Sequence, residues 1–427
     1  MEEKKIAFKT LGCRLNQYET DAIASEFINN GFKVVEFDQS ADVYIINTCT
    51  VTNQSDKKSR TSINSAIKKD AVVLVTGCMA TQYKNQLQKN NQIAFVVDNK
   101  HKTSVFPIVK SYFDGKTDAA DTFTVDVFHF KPAKDTFHTR SMIKIQDGCN
   151  NYCTFCIVPA VRGRAVSRPV NDIIENIKNV LEYGFKEIVL TGVNISRYEF
   201  EGLHFSGLIE KILNLDLDFR LRISSIEPDR FNDAFPELFS HPKLAPHLHL
   251  CLQSGSDKVL KEMKRFYRMK DFYTLVEKFR AKVPDFNFTT DIITGFPDET
   301  DEDFNLTMQA VENVGFSHVH TFKYSVRNGT KAQHMPNHIN EKLKNERSEQ
   351  VRLLAEKMKH AYWTKMLGKE QQVLVEKISE SGIASGYGQH YIPVHFTHNK
   401  ALVNTFYKVQ LSEIANHQSE EVTGKLL

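Results

Sequence analysis

The chain has 427 residues, 41% of them apolar and 25% charged, and a formal net charge of +3. That length allows two or three domains with real hydrophobic cores, and so small a net charge neither demands nor excludes a nucleic-acid partner. No apolar run approaches the roughly 20 residues that span a bilayer, and Met1–Lys5 lacks the apolar stretch of a signal peptide. The expected location is therefore cytoplasmic, where the seven cysteines read as metal or catalytic sites before disulfides.

Residues 1–113 alternate strand and helix patterns, with apolar, β-branched runs at Lys5–Thr10, Lys33–Phe37, Asp42–Asn47, Ala71–Thr76 and Ile93–Val97. This alternation predicts a small parallel sheet covered by helices. One helix is signalled by Asn16 as its cap, Glu19 three residues later and Gly31 just past its end. Residues 114–138, rich in Asp, Thr and Lys, read as a linker.

A second alternating series fills residues 139–367. Its strand candidates are Met142–Gln146, Glu187–Leu190, Arg220–Ser224, His247–Leu252, Asn287–Ile293 and His318–Tyr324. Helical patterns separate them, as at Val170–Tyr183, Asp257–Met263, Asp271–Arg280 and Asp301–Val314. Six such units predict a (βα)6 partial TIM barrel with its chemistry at the carboxyl ends of the strands. Asn340–Leu367 reads as a long charged helix. In residues 368–427 short strands at Val373–Ile378, Tyr391–Phe396, Thr405–Leu411 and Glu421–Lys425 predict a small β-barrel. The fold class is thus α/β and multidomain.

Chemistry is announced by cysteines. Cys149-x3-Cys153-x2-Cys156 has no fourth cysteine nearby. Three close thiolates hold three corners of a [4Fe–4S] cube and leave one iron open, whereas a site ligated wholly by protein takes four. Cys13, Cys49 and Cys78 each follow a strand candidate, and in a parallel sheet all carboxyl ends share one edge. Those three thiols should converge and hold a second cluster with an open iron. Three inert buried cysteines are the bland alternative, but three strand exits after Gly or Thr favour ligands. Zinc is the rival metal; it usually takes four ligands, often from C-x2-C pairs, and the one such pair here is Cys153–Cys156. Cys251 falls inside an apolar strand and reads as core.

The loop Cys149–Cys156, with Phe155 between its last two cysteines, resembles the signature of radical S-adenosylmethionine enzymes. The three spread cysteines narrow the likeness to the methylthiotransferases, in which an amino-terminal methylthiotransferase domain precedes the radical barrel and a carboxyl-terminal TRAM domain. The likeness covers essentially the whole chain. It is carried by Thr10-Leu11-Gly12-Cys13, Asn47-Thr48-Cys49-Thr50-Val51, Gly148-Cys149 to Pro159, Arg162-Gly163, Ser167-Arg168, Leu252-Gln253-Ser254-Gly255-Ser256 and Asp291-Ile292-Ile293-Thr294-Gly295-Phe296-Pro297. Asp298 departs from it, standing where the family commonly has Gly. Leu190–Ile195, Arg222–Pro228 and Tyr324–Thr330 are most similar to the branch acting on threonylcarbamoyladenosine. Two other branches act on isopentenyladenosine and on an aspartate of a ribosomal protein.

The resemblance implies two [4Fe–4S] clusters and S-adenosyl-L-methionine. A 5′-deoxyadenosyl radical made at the catalytic Cys149/Cys153/Cys156 cluster would open the C2–H bond of adenosine 37 in the anticodon stem-loop of a tRNA. The Cys13/Cys49/Cys78 cluster would hold the sulfur or methylthio group. Strand-end position joined to resemblance marks Thr191, Gly192, Ser225, Glu227, Gln253, Ile293 and Gly295, with Phe155, as cofactor contacts; several of them would serve equally as turn formers. Arg162, Arg164 and Arg168 are candidate phosphate contacts. So are Lys258, Lys261, Lys264, Arg265, Arg268 and Lys270, interleaved with Phe266 and Tyr267, although a solvated helix face explains this second group equally well. The last sixty residues are not basic, so a tRNA grip there rests on resemblance. A reducing electron donor and a sulfur donor are further expected partners, with no membrane contact and a monomeric chain. The non-enzyme alternative is an iron–sulfur RNA-binding or electron-transfer protein.

Overall fold

A computed structural model describes residues 3–116, 118, 120–123, 126–130, 139–229, 231–415 and 420–427. Much of the expected linker at 114–138 lies outside the described residues. The chain divides into two compact units. One gathers the amino-terminal α/β region with Met142–Arg168 and Ser325–Gln333; the other gathers Pro169–Tyr324 with His334–Leu427.

In the first unit five strands form one parallel sheet: β1 (Lys5–Thr10), β2 (Lys33–Val35), β3 (Val43–Thr48), β4 (Val72–Gly77) and β5 (Phe95–Val97), in the order β2-β1-β3-β4-β5. Central β3 is buried along its whole length, as an apolar strand covered on both faces must be. Tyr44, Ile46, Val73 and Val75 build the core on one face with Ile63, Ala66 and Met79 from the helices. The register pairs Thr10 with Asn47, and Asn47 with Thr76, so β1, β3 and β4 end level with one another.

The helix after β1 starts two residues earlier than its expected cap. It runs Arg14–Asn29 with Cys13 at the cap position. Asn16 lies inside it, buried, and its side chain donates to the Leu11 and Thr48 carbonyls at 2.8 and 3.1 Å. Asn16 therefore ties two strand exits together instead of capping a helix, and Glu19 is held by distant cations rather than by a cap. Gly31, at φ +81°, does stand just past the end.

The next strand is β6 (Ser141–Lys144), of which Met142–Lys144 falls in the first unit. The second unit continues the parallel series with β7 (Glu187–Thr191), β8 (Arg220–Ile223, resumed at Ser225–Ile226), β9 (His247–Leu250), β10 (Asn287–Thr294) and β11 (His318–Lys323). These five strands and β6 are the six that the sequence assigns to a (βα)6 partial barrel. Leu248, Leu250 and Leu252 are buried without exposure, and the alternate residues His247, His249 and Cys251 share the other face. The helix Asp301–Val314 opens with a capping box from Thr300 and Asp303 and closes at Gly315 in the left-handed region, as the sequence pattern requires.

A closed β-barrel ends the chain: β12 (Glu370–Ile378), β13 (Ile383–Tyr387), β14 (Pro393–Thr397), β15 (Phe406–Glu413) and β16 (Val422–Leu426). β13 has no counterpart among the expected strands, because Gly382-Ile383-Ala384-Ser385-Gly386 alternates too weakly to signal one. Its Gly386 is required: a Cβ there would lie 1.8 Å from the Leu374 carbonyl oxygen. Tyr362, Trp363 and Met366, from the long helix Glu341–Met366, complete this barrel's core. The barrel is also pinned to the parallel strands. Arg220 and Arg222 share buried Glu187, and their remaining N–H groups donate to the carbonyls of Gln372, Tyr387, Gly388 and Gln389.

Candidate functional site

Level strand ends put Cys13, Cys49 and Cys78 along one edge of the first sheet. A Cβ on Gly12 would sit 2.8 Å from Cys49 Cβ, and one on Gly77 would sit 2.4 Å from the Thr48 carbonyl oxygen. Both glycines have positive φ, so each turn reaches its cysteine through a conformation that side chains disfavour. Cys49 and Cys78 are buried and Cys13 is exposed. Cys49 is gripped on its backbone by Ser59, whose hydroxyl both accepts its N–H and donates to its carbonyl. Burial pushes the Cys49 thiol up, and neighbouring Cys78 and Cys13 push it the same way. A buried thiol with two others beside it at one sheet edge belongs to a donor set that a soft cation would satisfy.

The Cys149–Cys156 loop follows Gln146–Asp147, which pairs with Val166–Ser167. Gly148 has φ +67°, and a Cβ on it would lie 2.0 Å from the Arg164 carbonyl oxygen. The Cys149 N–H donates to Gly163, the Cys156 N–H to Cys153, and the Asn151 N–H points at Cys149 Sγ, 3.4 Å away. All three cysteines and Phe155 are half-buried. The sheet edge and the cysteine loop touch within this unit at Cys78, which packs against Ile157 and Val161, just beyond Cys156. Asn99 bridges the same contact, donating to the Val161 carbonyl at 2.9 Å and toward Cys78 Sγ at 3.6 Å.

Beneath this junction lies a buried charge cluster absent from the sequence-based expectations. Arg162 donates to both Glu19 oxygens at 2.9 and 3.0 Å, to Asp147, and to Asn16 Oδ1 at 2.7 Å. Lys102 and Lys144 reach Glu19 at 2.5 and 2.9 Å, and Lys144 also reaches Asp147. Burial would raise the Glu19 carboxyl, but Arg162, Lys102 and Lys144 hold it well below its ordinary value. Three cations against two carboxylates leave one positive charge, and both Arg162 and Lys102 act electrostatically on Cys78. The three thiols at the sheet edge, the N–H directed at sulfur and the excess positive charge suit thiolates bound to iron.

Arg162 is therefore not a phosphate contact, nor is Arg168, which is also buried; Arg164 is exposed. In the second basic group Arg265 is buried against Glu227 and Tyr267 is buried with its hydroxyl on the Cys251 and Leu252 carbonyls. Lys258 pairs with Asp298 and Asp303. Lys261, Lys264, Arg268, Lys270 and Phe266 remain exposed.

The other marked residues sit at the carboxyl edge of the parallel strands. Thr191 closes β7 and is buried, with Gly192 beside it. Ser225 is exposed and Glu227 is committed to Arg265, though burial pushes its carboxyl up. Gln253, at φ +69°, donates its N–H to the Asp291 carbonyl and accepts from Ile293. Gly295 donates its N–H to Glu299, itself paired with Arg347, and has Lys344 packed over it. Asp298 has φ +62° and accepts from Asn337 at 3.0 Å, so it fills a glycine-type turn and compensates with side-chain bonds. Cys251 is buried, as a core residue would be, yet it stands beside His249 and Asp291.

Residues 5–98 match a family described as Uncharacterized protein family UPF0004, and residues 143–311 match the Radical SAM superfamily. The chain is 36% identical to threonylcarbamoyladenosine tRNA methylthiotransferase MtaB of Thermotoga maritima, over 99% of each chain. It is 34% identical to the Bacillus subtilis protein of the same name, over 95% of this chain and 93% of that one. It is also 34% identical to tRNA-2-methylthio-N(6)-dimethylallyladenosine synthase of Fusobacterium nucleatum, over 96% and 97%. Among solved structures, the radical S-adenosylmethionine methyltransferase TsrM of Kitasatospora setae superposes with a TM-score of 0.51 at 14% identity, covering 75% of each chain. That likeness is one of fold.

Proposed function

The chain belongs to the radical S-adenosylmethionine methylthiotransferases, enzymes with two [4Fe–4S] clusters, and on that premise we propose that it methylthiolates C2 of N6-threonylcarbamoyladenosine at position 37 of tRNA. In this reading Cys149, Cys153 and Cys156 hold the radical-generating cluster, and Cys13, Cys49 and Cys78 hold the second. When bound, the clusters and S-adenosylmethionine supply the radical and the methylthio group, because a C–H bond that is neither acidic nor activated is beyond acid–base catalysis.

The protein's part is placement. Parallel register levels three strand exits that end in cysteine, the Gly148 turn closes the loop that carries the other three cysteines, and the contact of Cys78 with Ile157 joins that edge to the end of that loop. That contact is the observation that carries the reading, since methyl and radical chemistry must act on one base. Arg162 and Lys102 place positive charge near Cys78. Thr191, Gly192, Ser225, Glu227, Gln253, Ile293, Gly295 and Phe155 are assigned to the cofactor. The exposed Lys261, Lys264, Arg268, Lys270 and Phe266 are assigned to the tRNA, whose target base must leave its stack to react. A low-potential electron donor and a sulfur donor complete the cycle. The chain works as a monomer in the cytoplasm, and no helix among the described residues is long and apolar enough to cross a membrane.

Nucleoside analysis of tRNA from a deletion strain tests the assignment. The 2-methylthio form of threonylcarbamoyladenosine should disappear while its precursor accumulates. Loss of the isopentenyl analogue instead would move the chain to the other tRNA branch, and unchanged tRNA would refute both.

A further inference from the structure

The side of the parallel strands opposite Leu248, Leu250 and Leu252 carries a second donor set, distinct from the six cysteines assigned to iron. His249 on β9, Cys251 just after it and Asp291 on β10 each offer one ligand atom, and the three atoms lie within 4.8 Å of one another. The pairing of β9 with β10 sets His249 opposite Thr289, two residues before Asp291. The Cys251 N–H bonds to the Ile226 carbonyl and the Gln253 N–H to the Asp291 carbonyl, so backbone bonds hold both neighbouring segments in place.

His249 is only 7% exposed. Its Nδ1 is hydrogen-bonded to Thr289 Oγ1 at 3.1 Å. Its Nε2 faces Asp291 Oδ1 at 3.2 Å. An imidazole with a hydroxyl at one ring nitrogen and a carboxylate at the other, and a thiol close by, has the arrangement of a metal ligand oriented by a supporting hydrogen bond.

We propose that His249, Cys251 and Asp291 bind a single divalent transition-metal ion, zinc in the first instance. Sulfur, imidazole and carboxylate together match zinc, which takes thiolate at about 2.3 Å and imidazole at about 2.0 Å in a tetrahedron. Ligand atoms in that geometry stand about 3.3–3.6 Å apart, and side chains already gathered within 4.8 Å reach it by small rotations. Calcium and magnesium are disfavoured because they take oxygen donors. Three protein ligands leave a fourth position, which is the pattern of a metal that also receives solvent or a substrate atom. The Asp291 side chain is 27% exposed, so that position is reachable.

The test uses the anaerobically reconstituted full-length holoenzyme, with both iron sites filled so that their cysteines are not available, titrated with Zn²⁺ against a chromophoric chelator. One zinc per chain should bind with no loss of iron, and the zinc K-edge spectrum should show one sulfur among nitrogen and oxygen neighbours. Cys251→Ser should remove that sulfur signal, and His249→Gln should weaken binding by about 100-fold. Thr289→Val, which leaves every ligand in place, should weaken it by about 10-fold. Zinc that binds equally well to all three variants, that enters only as iron is lost, or that shows no sulfur neighbour overturns the proposal. Zinc counts are read without turnover, so an inactive enzyme would bear on the tRNA assignment and not on this site.

Discussion

The two cysteine sets reach comparable arrangements by opposite routes. Cys149, Cys153 and Cys156 lie in one loop, closed by Gly148 against the Arg164 carbonyl and by the N–H bonds of Cys149 and Cys156. Cys13, Cys49 and Cys78 span sixty-six residues of chain and come to one sheet edge because β1, β3 and β4 are parallel and in register. A local site depends on one turn, whereas a distributed site depends on the whole sheet and on buried groups that clamp the strand exits.

Replacing cysteines separates the two sets most sharply. Cys153→Ala should abolish 5′-deoxyadenosine formation altogether. Cys49→Ala should leave that formation measurable in the presence of strong reductant while methylthiolated tRNA falls below detection. In each variant iron should drop from about eight to about four per chain; a variant that keeps all its iron would break the assignment. Glycine substitutions sharpen the same contrast through geometry. Gly148→Ala should empty the loop site, and Gly77→Ala, whose new Cβ would overlap Thr48, should empty the sheet site. Iron analysis by electron paramagnetic resonance distinguishes them, and equal losses from both sites in both variants would contradict the division drawn here.

Arg162 joins the two routes, so its removal should harm both. Arg162→Met leaves Glu19 and Asp147 with fewer cations in a buried site, and breaking such a network costs about 3–5 kcal/mol. Chemical denaturation should show that loss, with a smaller effect from Lys144→Met because Glu19 retains Arg162 and Lys102. The smallest effect concerns the second unit. Burial opposes charge on Glu187, but Arg220 and Arg222 lower its carboxyl from 4.5 to about 2. A carboxyl lowered on folding contributes stability above its unfolded value and loses it as pH falls toward the folded value. The thermal-midpoint gap between parent and Glu187→Gln should therefore be full at pH 7 and shrink between pH 4.5 and about 2; a gap that does not change with pH would exclude ionised Glu187 as the anchor.

Much of this was legible in advance because the signals are local. The strands β1 and β7, the helix Asp301–Val314 and the cysteine spacing all sit in short windows where periodicity, caps and ligand residues speak directly. Asn16 and Glu19 were misread for the same reason. An Asn followed by Glu three residues later satisfies the pattern of a cap, and nothing within that window reveals that Arg162, Lys102 and Lys144 will arrive from far along the chain. Arg162 and Arg168 were mistaken for phosphate contacts on identical grounds, since a run of arginines shows charge and not burial.

From the amino-acid order alone came the alternation that makes parallel sheets, the two sets of three cysteines and the turns that deliver them. Tertiary structure alone decided which charges pair inside, that Cys78 packs beside the loop carrying Cys149–Cys156, and that His249, Cys251 and Asp291 face one another. The reason is physical: backbone periodicity is set by neighbours a few residues apart, whereas the ionisation and ligand capacity of a buried side chain depend on groups that folding brings to it from distant strands.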